Sequence, residues 1–148
     1  MATTTVIRTT SASRDEVFDF IADFTTSQQW DPGIAAAKRL GDVPVALGSR
    51  FEVRYRAGLV TLPLIYEITR YERPDRLVLS TRGLTHHGED DVQVETTGEG
   101  TRIIWRATFG LRGPGRLLEP FLQRAFPKVA DEAGDGLQTC LRGLSRRR

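Results

Sequence analysis

The residues best suited to chemistry lie in one short stretch, THHGEDD, at positions 85–91. Histidine and carboxylate side chains are the types that ligate metal ions or move protons. Adjacent residues of an extended segment point to opposite sides, so His86 and His87 cannot easily share one ion. We interpret the stretch as a solvated turn that leads into a strand. The alternatives are a metal site and a position of His86 at the mouth of a cavity.

A second candidate is the run Trp30-Asp31-Pro32-Gly33, which follows an aromatic-rich helical stretch. Pro32 biases Asp31 toward extended backbone, and the Asp31 carboxylate can accept backbone hydrogen bonds across the turn. Trp30 is large enough to anchor a core. We interpret the run as packing and turn formation, with catalysis by Asp31 as the alternative.

Four further residues with polar tips share the apolar side of the predicted strands: Tyr55, Tyr66, Thr81 and Trp105. They either fill the core or line a cavity and orient a ligand. Acid–base catalysis usually needs a positioned carboxylate, histidine or lysine, and we predict no such pair on the inward side of the strands. The sequence also lacks a phosphate-binding glycine loop and a nucleophile elbow. It therefore offers no convincing catalytic constellation, and we expect no cofactor and no metal.

The elements that must position these residues follow from the spacing of apolar side chains. Residues 3–10 predict a first strand, and Ser13 with Glu16 has the capping-box spacing that opens a helix. A second short helix follows, and IAAAKRL is a candidate second strand. From about residue 49 to about residue 110 apolar residues alternate, with breakers between the runs. This period predicts a meandering antiparallel sheet.

A long amphipathic helix ends the chain, because apolar residues recur at helical spacing from Leu117 to Leu144. Pro127, Gly134 and Gly136 should bend it or divide it into two segments. The sheet must cover its apolar face, and this helix is the only element with enough apolar surface to do so. A strongly curved sheet wrapped around one helix leaves a hollow, whose apolar lining suits a small hydrophobic ligand. The predicted cavity lining is Phe51, Val53, Tyr55, Leu64, Tyr66, Ile68, Leu79, Thr81, His86, Val94, Trp105, Phe109, Leu122 and Phe126.

The composition is that of an ordinary globular protein. The 148 residues suit one domain over 1–148, with 39% hydrophobic residues, 27% charged residues and a formal charge of +2. Basic residues gather only at the end of the last helix, where they complement its dipole, so we expect no nucleic-acid partner. No apolar run approaches the roughly 20 residues that span a membrane, so we expect no stable membrane insertion. The single cysteine and the lack of a signal peptide favour a cytoplasmic protein.

Three stretches make the chain resemble a known superfamily. SRDEVFDFIADFTTSQQWDPGI is similar to its first helices, YEITRYERPDRLVLST to its central hairpin, and GEGTRIIWRATFGLRGPGRLLEPFL to its last strand and long helix. The order of elements resembles the helix-grip fold of the SRPBCC superfamily, which includes START lipid-transfer domains, the major birch pollen allergen and polyketide cyclase/dehydrase-like proteins. The resemblance implies an α+β fold. A curved seven-stranded antiparallel sheet would wrap around a long C-terminal helix, with two short helices between strands 1 and 2.

The resemblance implies a pocket for hydrophobic or polycyclic molecules but assures no reaction. We therefore expect the chain to bind or transport a small hydrophobic molecule that is lipid-like, polycyclic or polyketide-like. An enzyme of the polyketide cyclase/dehydratase type, using Tyr55, Tyr66 or His86, is the alternative. A homodimeric interaction module that uses exposed apolar residues such as Leu59 and Val60 is a further alternative.

Overall fold

The computed structural model of the protein describes residues 1–57 and 59–146. Its strands are β1 (Ala2–Thr10), β2 (Ile34–Leu40), β3 (Arg50–Ala57), β4 (Val60–Glu72), β5 (Arg76–Arg82), β6 (His86–Thr97) and β7 (Gly100–Leu111). Its helices are α1 (Arg14–Ala22), the four-residue α2 (Ser27–Trp30) and α3 (Glu119–Arg146), with short 3-10 helices at Phe24–Thr26 and Gly113–Leu118.

The seven strands form one antiparallel sheet in the order β1-β7-β6-β5-β4-β3-β2. From β2 to β7 each strand pairs with the next one along the chain, whereas β1 pairs with the last strand, from Ala2 opposite Phe109 to Thr10 opposite Thr101. The register shifts between Ile34 and Ala36 in β2 and in the middle of β4. Such irregularities bend a strand and increase its twist. The predicted curved seven-stranded sheet, with two short helices between β1 and β2 and a long final helix, is confirmed.

Helix α1 begins where the sequence predicts. The Ser13 hydroxyl oxygen accepts a hydrogen bond from the Glu16 backbone N–H at 3.2 Å and so caps the first turn. The helix buries Val17, Phe18 and Ile21 completely. These three side chains lie on one face at helical spacing, which fixes how α1 packs against the sheet.

Helix α3 runs without interruption through Pro127 over 28 residues, so the prediction of two segments is wrong. Two of its glycines, Gly134 and Gly136, allow close packing. A Cβ on Gly134 would approach a methyl carbon of Val6 to 2.7 Å, and a Cβ on Gly136 would collide with the carbonyl oxygen of Trp30. The missing side chains let α3 lie close against β1 and the end of α2, and tertiary contact outweighs the low helix propensity of glycine.

The interior differs between the two ends of the sheet. At one end the side chains of α1, the second half of α3 and the strands form a solid core, represented by Phe18, Phe51 and Leu141. At the other end the first half of α3 covers an open space. Leu59, just before β4, and Val60, the first residue of β4, are both exposed. None of the helices in the described ranges is long and apolar enough to cross a membrane.

Candidate functional site

A cavity of about 640 Å³ lies between the sheet and the first half of α3. This volume falls within the range of roughly 300–1,000 Å³ that is usual for ligand pockets. Its walls come from β1, β3, β4, β6, β7 and α3, together with the end of α2. Aliphatic and aromatic side chains make up most of the lining, so the cavity is suited to an apolar molecule.

Nine of the residues predicted to line the cavity border it in the structure: Val53, Tyr55, Leu64, Tyr66, His86, Trp105, Phe109, Leu122 and Phe126. Five do not border it: Phe51, Ile68, Leu79, Thr81 and Val94, all at most 3% exposed. The alternating pattern correctly predicts that these five face inward. It does not tell where along the sheet the helices fill the space. Four of these residues, Phe51, Ile68, Leu79 and Val94, belong to the solid core that includes side chains of α1 and of the second half of α3. The His86 ring covers Thr81, with 3.2 Å between His86 Nε2 and the Thr81 hydroxyl oxygen.

The structure places a carboxylate, Asp90, on the wall of the cavity, and the sequence interpretation missed it. Asp90 lies on β6 with the same inward parity as the buried Val92 and Val94. One of its carboxylate oxygens accepts a hydrogen bond from the Trp105 indole N–H at 3.1 Å. The inward side of the strands thus carries a carboxylate that the prediction of no acid–base pair there did not include. The signal was available, because position 90 differs from Val92 and Val94 by an even number of residues.

A second carboxylate, Asp31, borders the same cavity from the turn between α2 and β2. Its Oδ1 accepts a hydrogen bond from the Gly33 backbone N–H at 2.8 Å, as the sequence predicted for this turn. Trp30, next to it, is buried, and its ring lies 5.3 Å from that of Trp105 in an edge-to-face arrangement. Packing of the two indoles thus brings the Asp31 turn toward the β6–β7 wall that carries Asp90.

Burial raises the pKa values of both carboxyl groups. The pKa of Asp90 rises to about 7, because loss of solvation and the charges of Asp31 and Glu89 outweigh the hydrogen bond from Trp105. The pKa of Asp31 rises to about 6, because loss of solvation and the charge of Glu132 outweigh the hydrogen bond from Gly33. Each group therefore changes its charge within the physiological pH range.

Two tyrosines complete this polar region. Burial, with the charges of Asp31 and Glu132, raises the pKa of Tyr55 to about 12. Burial, with the charges of Asp90 and Asp31, raises the pKa of Tyr66 well above its usual value. Both hydroxyls stay protonated, and neither forms a hydrogen bond with any residue that the structure describes. They are available to a ligand as donors or acceptors.

His86 borders the cavity where β6 begins. Its ring stacks on Phe109, with 6.0 Å between ring centres and 6° between ring planes. Burial lowers the pKa of His86, and the nearby charges of His87 and Arg112 lower it further. The imidazole is thus neutral at pH 7 and adds no positive charge to the cavity.

The two arginines on the cavity wall are engaged elsewhere. Arg8 forms ion pairs with Asp135 at 3.0 Å and Asp131 at 3.3 Å on α3. Arg56 donates a hydrogen bond to the Pro32 carbonyl oxygen at 2.7 Å. The cavity therefore combines apolar walls with the carboxyl groups of Asp31 and Asp90 and the phenol hydroxyls of Tyr55 and Tyr66. Such a set can hold a polar group of a ligand or transfer a proton to or from it.

Comparison with known proteins agrees with this architecture. The model of the family described as polyketide cyclase / dehydrase and lipid transport matches residues 1–142. TTHA0849 from Thermus thermophilus shares 17% identity at a TM-score of 0.80, over 97% of this chain and 99% of that chain. A START superfamily protein from Mycobacterium smegmatis shares 12% identity at a TM-score of 0.80, over 97% and 99% of the two chains. The di-domain ARO/CYC StfQ from the steffimycin biosynthetic pathway shares 11% identity at a TM-score of 0.72, over 97% of this chain and 51% of that chain.

At these identities the likeness to solved structures shows the fold alone. No curated relative matches the chain.

Proposed function

The chain belongs to the polyketide cyclase / dehydrase and lipid transport family, and we propose that it binds and carries a small hydrophobic molecule in its cavity. The SRPBCC superfamily includes carriers and enzymes, so membership leaves both functions open. Most residues on the cavity wall are apolar and few are polar, which favours binding of a molecule over catalysis.

The observation that carries this proposal is the size of the apolar-walled cavity, about 640 Å³. At roughly 24 cal/mol per Å³, a dry void of that volume would cost on the order of 15 kcal/mol. That equals or exceeds the whole stability of a typical domain, about 5–15 kcal/mol. The space must therefore hold water or a ligand, and water needs polar partners, which are the minority of the groups on the wall. An apolar molecule can fill the rest of the cavity, because its contacts with the apolar wall need no hydrogen bonds.

Filling the cavity tests this function. Ala130 lines the cavity from α3, so Ala130→Trp should occupy part of the space and weaken the binding of Nile red at least about tenfold. Ala36→Trp, at an exposed position of β2, is the matched control and should bind the dye normally. Circular dichroism checks that both variants fold. Equal dye binding by the two folded variants would argue against the cavity as the binding site.

An enzyme of the cyclase/dehydratase type is a second candidate, favoured by the two carboxyl groups with pKa values of about 6 and about 7. Near neutral pH Asp31 is mostly ionised, whereas Asp90 is protonated in much of the population. Asp31 can then remove a proton next to a ketone while Asp90 protonates the leaving hydroxyl group, which departs as water.

The test is turnover of an aromatic β-hydroxy ketone, followed by mass spectrometry for the loss of one water. The wild type should convert it, and both Asp31→Asn and Asp90→Asn should bind it without conversion. A wild type that binds the ketone and leaves it unchanged would eliminate this candidate and retain the carrier.

A further inference from the structure

Two carboxyl groups border the cavity, and neither is part of an ion pair. Asp31 and Asp90 both border the space, and no lysine, arginine or histidine forms an ion pair with either within residues 1–57 and 59–146. Buried carboxylates are normally paired, because an isolated charge in a protein interior is costly. Each carboxyl group therefore either holds a proton or meets a positive group from outside the described part of the chain.

The charged groups around the pair reinforce its negative character. Glu89 on β6 and Glu132 on α3 add negative charge near Asp90 and Asp31 respectively. The nearest arginines on the wall are bound to other acceptors, Arg8 to Asp131 and Asp135 on α3 and Arg56 to the Pro32 carbonyl oxygen. His86 is neutral at pH 7.

Each carboxyl group retains one oxygen for a ligand. Trp105 donates to Oδ1 of Asp90 at 3.1 Å, and Gly33 donates to Oδ1 of Asp31 at 2.8 Å. No hydrogen bond reaches Oδ2 of either residue from the part of the chain that the structure describes. The Tyr66 hydroxyl borders the same cavity and forms no hydrogen bond with any described residue.

Aromatic rings surround the same region. Trp30 and Trp105 meet edge to face at 5.3 Å, and Phe24 lies 5.2 Å from Tyr66, with all four rings on the cavity wall. The negative faces of aromatic rings attract organic cations, and cages of such rings recognise quaternary ammonium groups. Apolar walls, aromatic rings and uncompensated carboxylates in one space suit a molecule with a hydrophobic body and a cationic head.

We propose that the natural ligand is a hydrophobic organic cation, an ammonium compound whose charged head lies between Asp31 and Asp90. This inference rests on the proposed binding function, since it specifies the chemical class of the molecule that the cavity holds. Two carboxylates repel an anionic head. A neutral ketone is the remaining competitor, because protonated carboxyl groups would donate hydrogen bonds to it.

The sign of the pH dependence separates the cation from the ketone. A cation prefers the ionised carboxylates, so its affinity should rise with pH. A ketone binds better to the protonated carboxyl groups, so its affinity should fall as the pH rises. Asp31, with a pKa of about 6, alone would increase the cation's affinity about tenfold between pH 5 and pH 7.5, and the ionisation of Asp90 would increase it further.

The experiment uses three probes that share a naphthalene body: naphthylmethyltrimethylammonium, its neutral carbon isostere neopentylnaphthalene, and naphthylacetate. The quaternary head does not titrate, so any pH dependence belongs to the protein. Displacement of Nile red, calibrated at each pH, gives the dissociation constants. At pH 7.5 we expect the cation to bind at least about tenfold more tightly than its isostere, with the preference lost at pH 5.

Three variants test whether Asp31 and Asp90 cause the preference for the cation. Asp31→Asn and Asp90→Asn keep the shape and the Oδ1 acceptor of each side chain, and each should reduce the preference for the cation several-fold. Asp42→Asn removes one charge from an exposed position in the β2–β3 connection and should leave the preference for the cation unchanged.

Two results would overturn the inference in distinguishable ways. Tighter binding of the isostere or of naphthylacetate at pH 7.5 would refute the cationic ligand and leave the binding function standing. Failure of all three probes and of Nile red to bind would refute both.

Discussion

Replacing Asp90 with asparagine should stabilise the protein above neutral pH. Burial holds the pKa of Asp90 at about 7 in the folded protein, compared with 3.8 for an ordinary aspartate. The folded state therefore binds the proton more tightly than the unfolded chain does. The stability associated with this proton is fully present below about pH 4 and is lost as the pH rises through about 7. Asparagine carries no charge, so Asp90→Asn avoids the loss.

The magnitude follows from the difference between the two pKa values. From 3.8 to about 7 is about three pKa units, and each unit corresponds to about 1.4 kcal/mol. The upper limit is thus about 4 kcal/mol, and solvent in the cavity should reduce it to about 2–4 kcal/mol. The asparagine oxygen can still accept the hydrogen bond from Trp105, so the substitution leaves no buried donor without a partner.

Urea unfolding measures the effect, with the fluorescence of Trp30 and Trp105 as the signal. The difference in free energy of unfolding between Asp90→Asn and the wild type should be close to zero at pH 4. It should grow up to about pH 7 and stay constant above about pH 8. Asp42→Asn, at an exposed position, should follow the wild type throughout. Parallel stability curves for Asp90→Asn and the wild type, or a variant less stable at pH 9, would refute the reasoning.

Three further substitutions test contacts that hold the fold around the site. Gly136→Ala should destabilise the protein by about 1–3 kcal/mol in urea unfolding, because the new Cβ collides with the Trp30 carbonyl oxygen. Gly143→Ala on the same helix meets no atom within 4 Å and should instead stabilise it by about 0.5–1 kcal/mol, so equal effects would contradict this account. Thr101→Val removes the buried hydroxyl that donates to the Ala12 carbonyl oxygen at 2.6 Å. It should cost about 1–3 kcal/mol, and an unchanged midpoint would count against that bond.

Alternation along the strands was enough to predict an antiparallel sheet with one inward face, because each side chain has only two faces to choose from. The seven-stranded helix-grip fold followed from the resemblance to the superfamily. Phe51 and Val53 share the inward face of β3, as predicted, yet only Val53 borders the cavity. The distinction depends on which helix lies above each strand position. The packing of helices over the sheet depends on contacts between residues distant in sequence. The spacing of residues within one strand therefore cannot predict it.

The sequence did not place Asp31 and Asp90 together on the cavity wall, for two different physical reasons. Asp90 obeys the same alternation as Val92, so the local pattern did contain the signal, although the dense acidic stretch around it resembles a solvated turn. Asp31 lies in a turn, where no periodicity applies. Its place on the cavity wall depends on Trp30 packing against Trp105 across the molecule, and that contact joins residues 75 positions apart. Such a contact follows from the tertiary fold and cannot be inferred from the turn alone.

The pairing of β1 with β7 also determines the order in which the molecule can form. Ala2 lies opposite Phe109, whereas the hairpins from β3 to β6 join neighbouring segments. Loops between neighbouring strands close at little entropic cost, whereas contacts distant in sequence slow folding. During synthesis β1 has no partner until β7 has left the ribosome, and α3, which packs on β1, is later still. Because β1, β7 and α3 all bound the cavity, we expect the binding site to be the last part of the protein to form.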